Sequence, residues 1–168
     1  MSRQFCHIVA RRTSVEVLTM LEWWWQLAYW TLYIDTRYNI LILMANWHLA
    51  MDGNEWTFVP HHELITGVYA WARAVVEKDP TGYNKNARIP ISESYGTKTE
   101  FDYYVLPLNK DMEEVAIHRY PAPVDGVPFD RTAITPHFHP FVTVGPLTSH
   151  VHPHFHLFGG TETRRPSG

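Results

Sequence analysis

The chain is nearly without cysteine: Cys6 is the only one in 168 residues. An intramolecular disulfide framework is therefore excluded, and the expected compartment is reducing, cytoplasmic or nuclear. A clean apolar run is missing as well. The most apolar stretch, Val15 to Met51, is broken by Glu22, Gln26, Asp35, Arg37, Asn39, Asn46 and His48. No window of about 18 uninterrupted apolar residues is left there, so no membrane span is expected. A membrane-surface helix has little support either, because the tryptophan run has no basic face beside it. The opening MSRQFCHIVARR sets charges on both sides of a very short apolar run and carries no secretory pattern. Excess positive charge is also lacking. With 14 Lys and Arg against 17 Asp and Glu, the net charge is −3, and no broad basic field advertises a nucleic-acid partner. Beyond a local His-x-His pattern there is no internal repeat.

What is present is enough for a real core. Hydrophobic residues make up 45% and charged residues 18%, which argues against bulk disorder. Eleven histidines stand out, six of them between His137 and His156. Aromatics are heavy, with seven tryptophans, and twelve prolines against nine glycines favour stiff loops.

Residues 4–9, QFCHIV, read as a strand. Thr13 or Ser14 can cap a helix whose apolar positions (Val17, Leu18, Leu21, Trp24, Trp25, Ala28, Leu32) keep helical spacing until Asp35–Tyr38 breaks it. Trp23, Trp24 and Trp25 point about 100° apart on such a helix, so at least one must pack on another segment or a partner. Ile40–Leu43 has a buried-strand signature. Ala45–Asp52 forms a short helix stopped by Gly53, and Glu55–Val59 a strand closed by Pro60. His61–Lys78 is an amphipathic helix with Glu63 in its first turn and Lys78 in its last. After a loop over 81–100, Phe101–Leu108 reads as a strand and Glu113–His118 as one helical turn. From Tyr120 on, prolines and glycines predict little regular structure, with a frayed end at 164–168.

Four positions form a chemical set. His7 lies in the first strand and Asn39 opens the second. His48 and Asp52, at i and i+4, share one helical face about 6 Å apart, a spacing able to grip a divalent ion. A histidine from a neighbouring strand can act as general base on a water poised to attack a phosphodiester, and an asparagine can fix its ring. A cation on the scissile phosphate and leaving oxygen completes the requirement.

The runs Cys6-His7-Ile8-Val9, Asn39-Ile40-Leu41-Ile42-Leu43 and Trp47-His48-Leu49-Ala50-Met51-Asp52-Gly53 resemble the HNH endonuclease motif. The nearest variant is that of the fungal HNH-nuclease-domain proteins, numerous in mushroom-forming fungi and usually carrying a long C-terminal extension. The spacings of nine from Asn39 to His48 and four to Asp52 match. The resemblance covers about residues 5–60, and more loosely the rest. It implies an α+β chain with a ββα-metal core, flanking helices and an irregular, proline-rich C-terminal extension, divided as 1–80 and 81–168. It further implies a DNA phosphodiester hydrolase with His7 as general base. Asn39 would orient that base and pin the loop, while His48 and Asp52 would hold one Mg²⁺ or Mn²⁺, or Zn²⁺. His7, His48 and Asp52 should then converge. Arg3, Arg11, Arg12 and Arg37 are expected around the site, where they could neutralise phosphates, with Arg11, Arg12 and Arg37 the foremost DNA contacts.

The sequence departs from the motif in four places. Cys6 stands where many HNH enzymes have a metal-binding Asp or His; a thiolate ligates Zn²⁺ well and Mg²⁺ poorly. Ala10 replaces a proline and Met51 a phenylalanine. Relatives also have an upstream strand with a Cys-x-x-Thr-Gly signature, whereas only five residues precede Cys6. The first hairpin is thus expected to be completed differently, or the chain to be a truncated or decayed copy.

Two other readings stay open. One is an inactive HNH-derived interaction module, a homo-oligomer through the tryptophan-rich helix. The other is a metal binder using the histidines of residues 137–156. These would alternate along a strand about 7 Å apart on one face, or else form an edge strand with polar residues outward and Phe138, Phe155 and Leu157 inward. His154-Phe155-His156 also resembles the His-hydrophobe-His of HUH nickases, but no tyrosine follows it. A cupin lacks its glutamate.

Overall fold

The computed structural model describes residues 2–81, 88–120, 125–126 and 130–158. Strand β1 (Arg3–His7) pairs antiparallel with β2 (Ile40–Met44), placing Cys6 opposite Leu41 and His7 opposite Ile40. Between them runs helix α1 (Val15–Trp24), capped where the Ser14 hydroxyl accepts the Val17 N–H at 3.4 Å. Strand β2 turns directly into α2 (Ala45–Asp52), as the sequence predicts, and the order is β1-α1-β2-α2 with β1 paired to β2.

Strand β3 (Trp56–Pro60) and helix α3 (His62–Lys78) follow. Then come β4 (Phe101–Pro107), β5 (Ala116–Arg119), β6 (Thr135–Phe138), β7 (Leu147–Ser149) and α4 (Pro153–Phe158). One antiparallel sheet has the order β3-β4-β7, and β5 pairs with β6. The chain is α+β, and no helix among the described residues is long and apolar enough to cross a membrane.

The core draws on both halves of the sequence. Cys6, Val9, Leu21, Trp25 and Leu41 pack in one buried cluster with Phe101, Tyr103, Val151 and Phe155. Helix α2 is wedged against this cluster by Met51 and against a second one by Trp47. The Trp47 ring meets Trp56 edge-on at 5.2 Å, and the Trp56 indole N–H donates to the Trp47 carbonyl at 3.1 Å. That wedge fixes which face of α2 looks at β1.

Several expectations change. Helix α1 ends at Trp24 and not near Leu32. The Glu22 carboxylate, buried within the helix, accepts the N–H groups of Trp30, Thr31 and Leu32 at 2.7–2.9 Å. The chain therefore folds back over its own helix, with Gln26 and Trp30 in the left-handed region. Trp25 goes to the core, while Trp30 is 82% exposed. Residues 110–114 form a 3-10 turn capped by the Asn109 side chain, and 116–119 is strand where a helical turn was expected. On β6 the expected faces are reversed. His137 is buried, its Nδ1 3.0 Å from the Thr143 hydroxyl, and Phe138 is exposed.

The later histidines, His150 to His156, do not form a strand either. Pro153, well suited to a first helical turn, starts α4 and carries His154 and His156 into aromatic packing. The His154 ring is stacked with Tyr95 and lies 4.5 Å from Trp25, while His156 lies 4.8 Å from Tyr103. The Tyr95 hydroxyl accepts the His154 backbone N–H at 3.1 Å and sits 2.8 Å from His154 Nδ1. The His156 ring nitrogens are buried and find no hydrogen-bond partner among the described residues. The expected frayed end at 164–168 lies outside the described residues.

Two expected outcomes follow from this packing. Replacing Glu22 by Gln sets an amide group against three backbone donors and should cost about 2–3 kcal/mol in urea unfolding; a change below about 0.5 kcal/mol would dismiss the carboxylate as the anchor of this loop. The second concerns pH. Burial pushes His154 and His156 down to about 3 from the ordinary 6.5. Below about 6.5 the unfolded chain takes up protons that the native state refuses, so this stability is complete above that pH and fades as pH falls toward 3. From pH 7 to 5 the pair should lose on the order of 4 kcal/mol. His156→Gln should flatten that slope by about half, and an unaltered slope would reject the assignment.

Candidate metal centre

Strand alternation sorts β1 into two faces. Gln4 and Cys6 face α2, while Arg3, Phe5 and His7 face away. On the α2 side, the Cys6 sulfur, a His48 ring nitrogen and an Asp52 carboxylate oxygen all lie within 4.8 Å of one another. His48 Nε2 is 3.6 Å from Asp52 Oδ2, as the i, i+4 spacing predicts. Gln4 Oε1 sits 2.9 Å from His48 Nδ1. With that oxygen accepting the Nδ1 proton, Nε2 keeps its lone pair toward Asp52 and Cys6. The group grades from buried Cys6 through half-buried His48 to exposed Asp52, so it opens to solvent on the carboxylate side. Burial, helped by the Asp52 charge, pushes the Cys6 thiol up to about 12. These three residues can hold a metal ion.

His7 does not join them. The expected convergence of His7, His48 and Asp52 is replaced by that of Cys6, His48 and Asp52, because neighbouring strand residues point to opposite faces. His7 Nε2 instead lies 3.0 Å from Asp35 Oδ1, and Arg11 Nε donates to the same oxygen at 2.6 Å. The Arg11 bond, with a lesser share from His7, holds the Asp35 carboxyl below its ordinary range. The His7 side chain remains 14% exposed.

Asn39 performs one of its two expected roles. Its Oδ1 accepts the Val9 N–H at 2.8 Å, and its Nδ2 donates to the Val9 and Ile34 carbonyls at 2.9 Å each. It pins the loops at the open ends of β1 and β2. Its side-chain groups are used up in doing so, and Asp35 holds the His7 ring in its place.

The arginines are dispersed in function. Arg11 is engaged by Asp35, Arg37 lies over the Tyr38 ring at 4.9 Å, and Arg3 and Arg12 are exposed. No protein family, curated protein or solved structure matches the chain.

Sequence reasoning missed two contributors, Asp35 and Gln4, and treated Cys6, at a metal-ligand position of the motif, as a departure and not as a donor. A period of two along β1 places Gln4 and Cys6 on one face, so both carried a signal. Asp35 read only as a helix breaker, and its part depends on tertiary contact. Gln4→Ala should weaken divalent-metal binding roughly 10–100-fold in a chelator competition titration. Unchanged affinity would remove Gln4 from the supporting shell.

Proposed function

We propose that the chain is a metal-dependent phosphodiester hydrolase of the ββα-metal, HNH type, acting on DNA. The observation that carries this reading is the clustering of Cys6, His48 and Asp52 across a strand–helix pair, with His7 the next residue on that strand. A divalent ion bound there would supply Lewis-acid stabilisation of the scissile phosphate and the leaving oxygen.

The remaining chemistry belongs to the chain. Asp35 accepts the Nε2 proton of His7, which leaves the lone pair on Nδ1; because His7 and the metal donors lie on opposite faces of β1, the base role carried over from the motif requires the phosphodiester to lie across the edge of that strand. Arg11 keeps Asp35 ionised, and the charged carboxylate stabilises the imidazolium that results. Asn39 holds the loops from which both Asp35 and the residues after His7 depart. Arg3, Arg11, Arg12 and Arg37 are the proposed phosphate contacts, few enough that binding should be salt-sensitive yet weak.

A second reading, an inactive module that self-associates, draws on the exposed aromatics Trp23, Trp24, Trp30 and Phe5. The two separate in one experiment. His7→Ala should lower metal-dependent nicking of plasmid DNA by about 10²–10⁴-fold with an unchanged circular dichroism spectrum. Asp35→Asn should lower it less. Nicking that proceeds equally in His7→Ala removes the base. No nicking by the intact chain with any divalent ion, together with a dimer in sedimentation, favours the second reading.

A further inference from the structure

The donor set around α2 contains a second sulfur. Met51 Sδ lies 3.8 Å from Cys6 Sγ. His48, Met51 and Asp52 stand at i, i+3 and i+4, so all three project from one face of α2. That face meets the strand residue Cys6. One turn of helix and one strand position thus assemble a thiol, a thioether, an imidazole and a carboxylate.

Geometry and hardness both bear on which ion this set takes. Two metal–sulfur bonds of about 2.3 Å at a tetrahedral angle separate their sulfurs by about 3.8 Å. The Cys6–Met51 separation already has that value. Mg²⁺ demands a near-octahedral shell of oxygen ligands, and Asp52 is the one carboxylate among these four side chains. Thiolate and thioether donors select zinc and other thiophilic ions.

We propose that this centre takes a thiophilic d10 ion, Zn²⁺ foremost, on Cys6, His48 and Asp52 with Met51 as the fourth donor, and does not take Mg²⁺ or Mn²⁺. The inference rests on reading the cluster as a metal centre, and holds whether or not the chain cuts DNA. Cys6 binds as the thiolate, its proton passing to the buffer. The neutral thioether is the weakest of the four donors and the one that a water or a phosphate oxygen would displace.

The test uses the full chain and Co²⁺ as a spectroscopic stand-in for Zn²⁺. Cys6 is the sole cysteine, so a thiolate-to-cobalt charge-transfer band in the near ultraviolet can come from no other residue, whatever the other histidines bind. The expected result is such a band at one equivalent, abolished by Zn²⁺ or Cd²⁺ and untouched by excess Mg²⁺ or Mn²⁺. His48→Ala and Asp52→Ala, which leave the thiol in place, should lose it. Met51→Leu should keep the band while weakening Zn²⁺ binding, and Cys6→Asp should open the site to Mn²⁺. Absence of the band in the wild-type chain, or its displacement by Mg²⁺, overturns the proposal. An unchanged Zn²⁺ affinity in Met51→Leu strikes out the fourth donor. A band without DNA cleavage keeps the metal assignment and defeats the hydrolase reading. Mg²⁺-supported, His48-dependent cleavage without a band does the reverse.

Discussion

The Asn39 side chain, fully buried, ties the end of one strand to the beginning of the next. Its amide makes three hydrogen bonds, to both backbone groups of Val9 and to the Ile34 carbonyl. These bonds close the long excursion that separates β1 from β2. Without them the two strands have only their own ladder to hold register, and a two-stranded ribbon is marginal by itself. A slip of one residue would move Cys6 to the outer face and His7 to the inner one. The identity of the residue facing α2 therefore depends on a side chain that touches neither the metal donors nor the base.

The two faces of β1 then divide the work. Inward, Cys6 meets His48 and Asp52, with Gln4 bracing the imidazole. Outward, His7 is held by Asp35, itself charged and oriented by Arg11. The charge logic on each side is different. Cys6 is buried and its thiol is discouraged from ionising, so it is inert toward solvent until a cation compensates the thiolate. Asp35, held below its ordinary carboxyl range chiefly by Arg11, is partly exposed and faces the His7 imidazole. Adjacent residues of one strand thus occupy two electrostatic environments a peptide unit apart.

Much of this was legible in the residues. The boundaries of α2 follow from an apolar strand run ahead of it and Gly53 behind it, and α3 from its apolar stripe and terminal charges. The pairing of His48 with Asp52 needed only helical geometry. What failed had long-range causes. The end of α1 is set by a carboxylate that caps a segment eight to ten residues later, which no local propensity encodes. His154 and His156 alternate in sequence like outward strand residues, yet Pro153 starts a helix there, Tyr95 stacks on His154, and Trp25 and Tyr103 pack against the two rings at a tilt. The resemblance to the HNH motif drew the base and the ligands into one convergent set. Strand alternation separates His7 from Cys6, and weighing that period against the histidine pattern would have exposed Cys6 as the third donor.

The centre is braced by groups that do not depend on an ion. Trp47 and Trp56 lock one side of α2, Met51 packs into the main core on the other, and Asn39 fixes the strand that supplies Cys6. Small metal domains that fold only with their ion lack such supports, and their binding energy is spent on ordering the chain. Here the ordering is done by apolar contacts and buried amide bonds. If an ion binds as proposed, its binding energy would then be free for selecting the ion rather than for ordering the chain. Sulfur donors held where two packed clusters meet would also resist the rearrangement that six oxygen ligands require. The rigidity that holds Cys6, His48 and Asp52 together is thus the same property that would narrow the choice of metal.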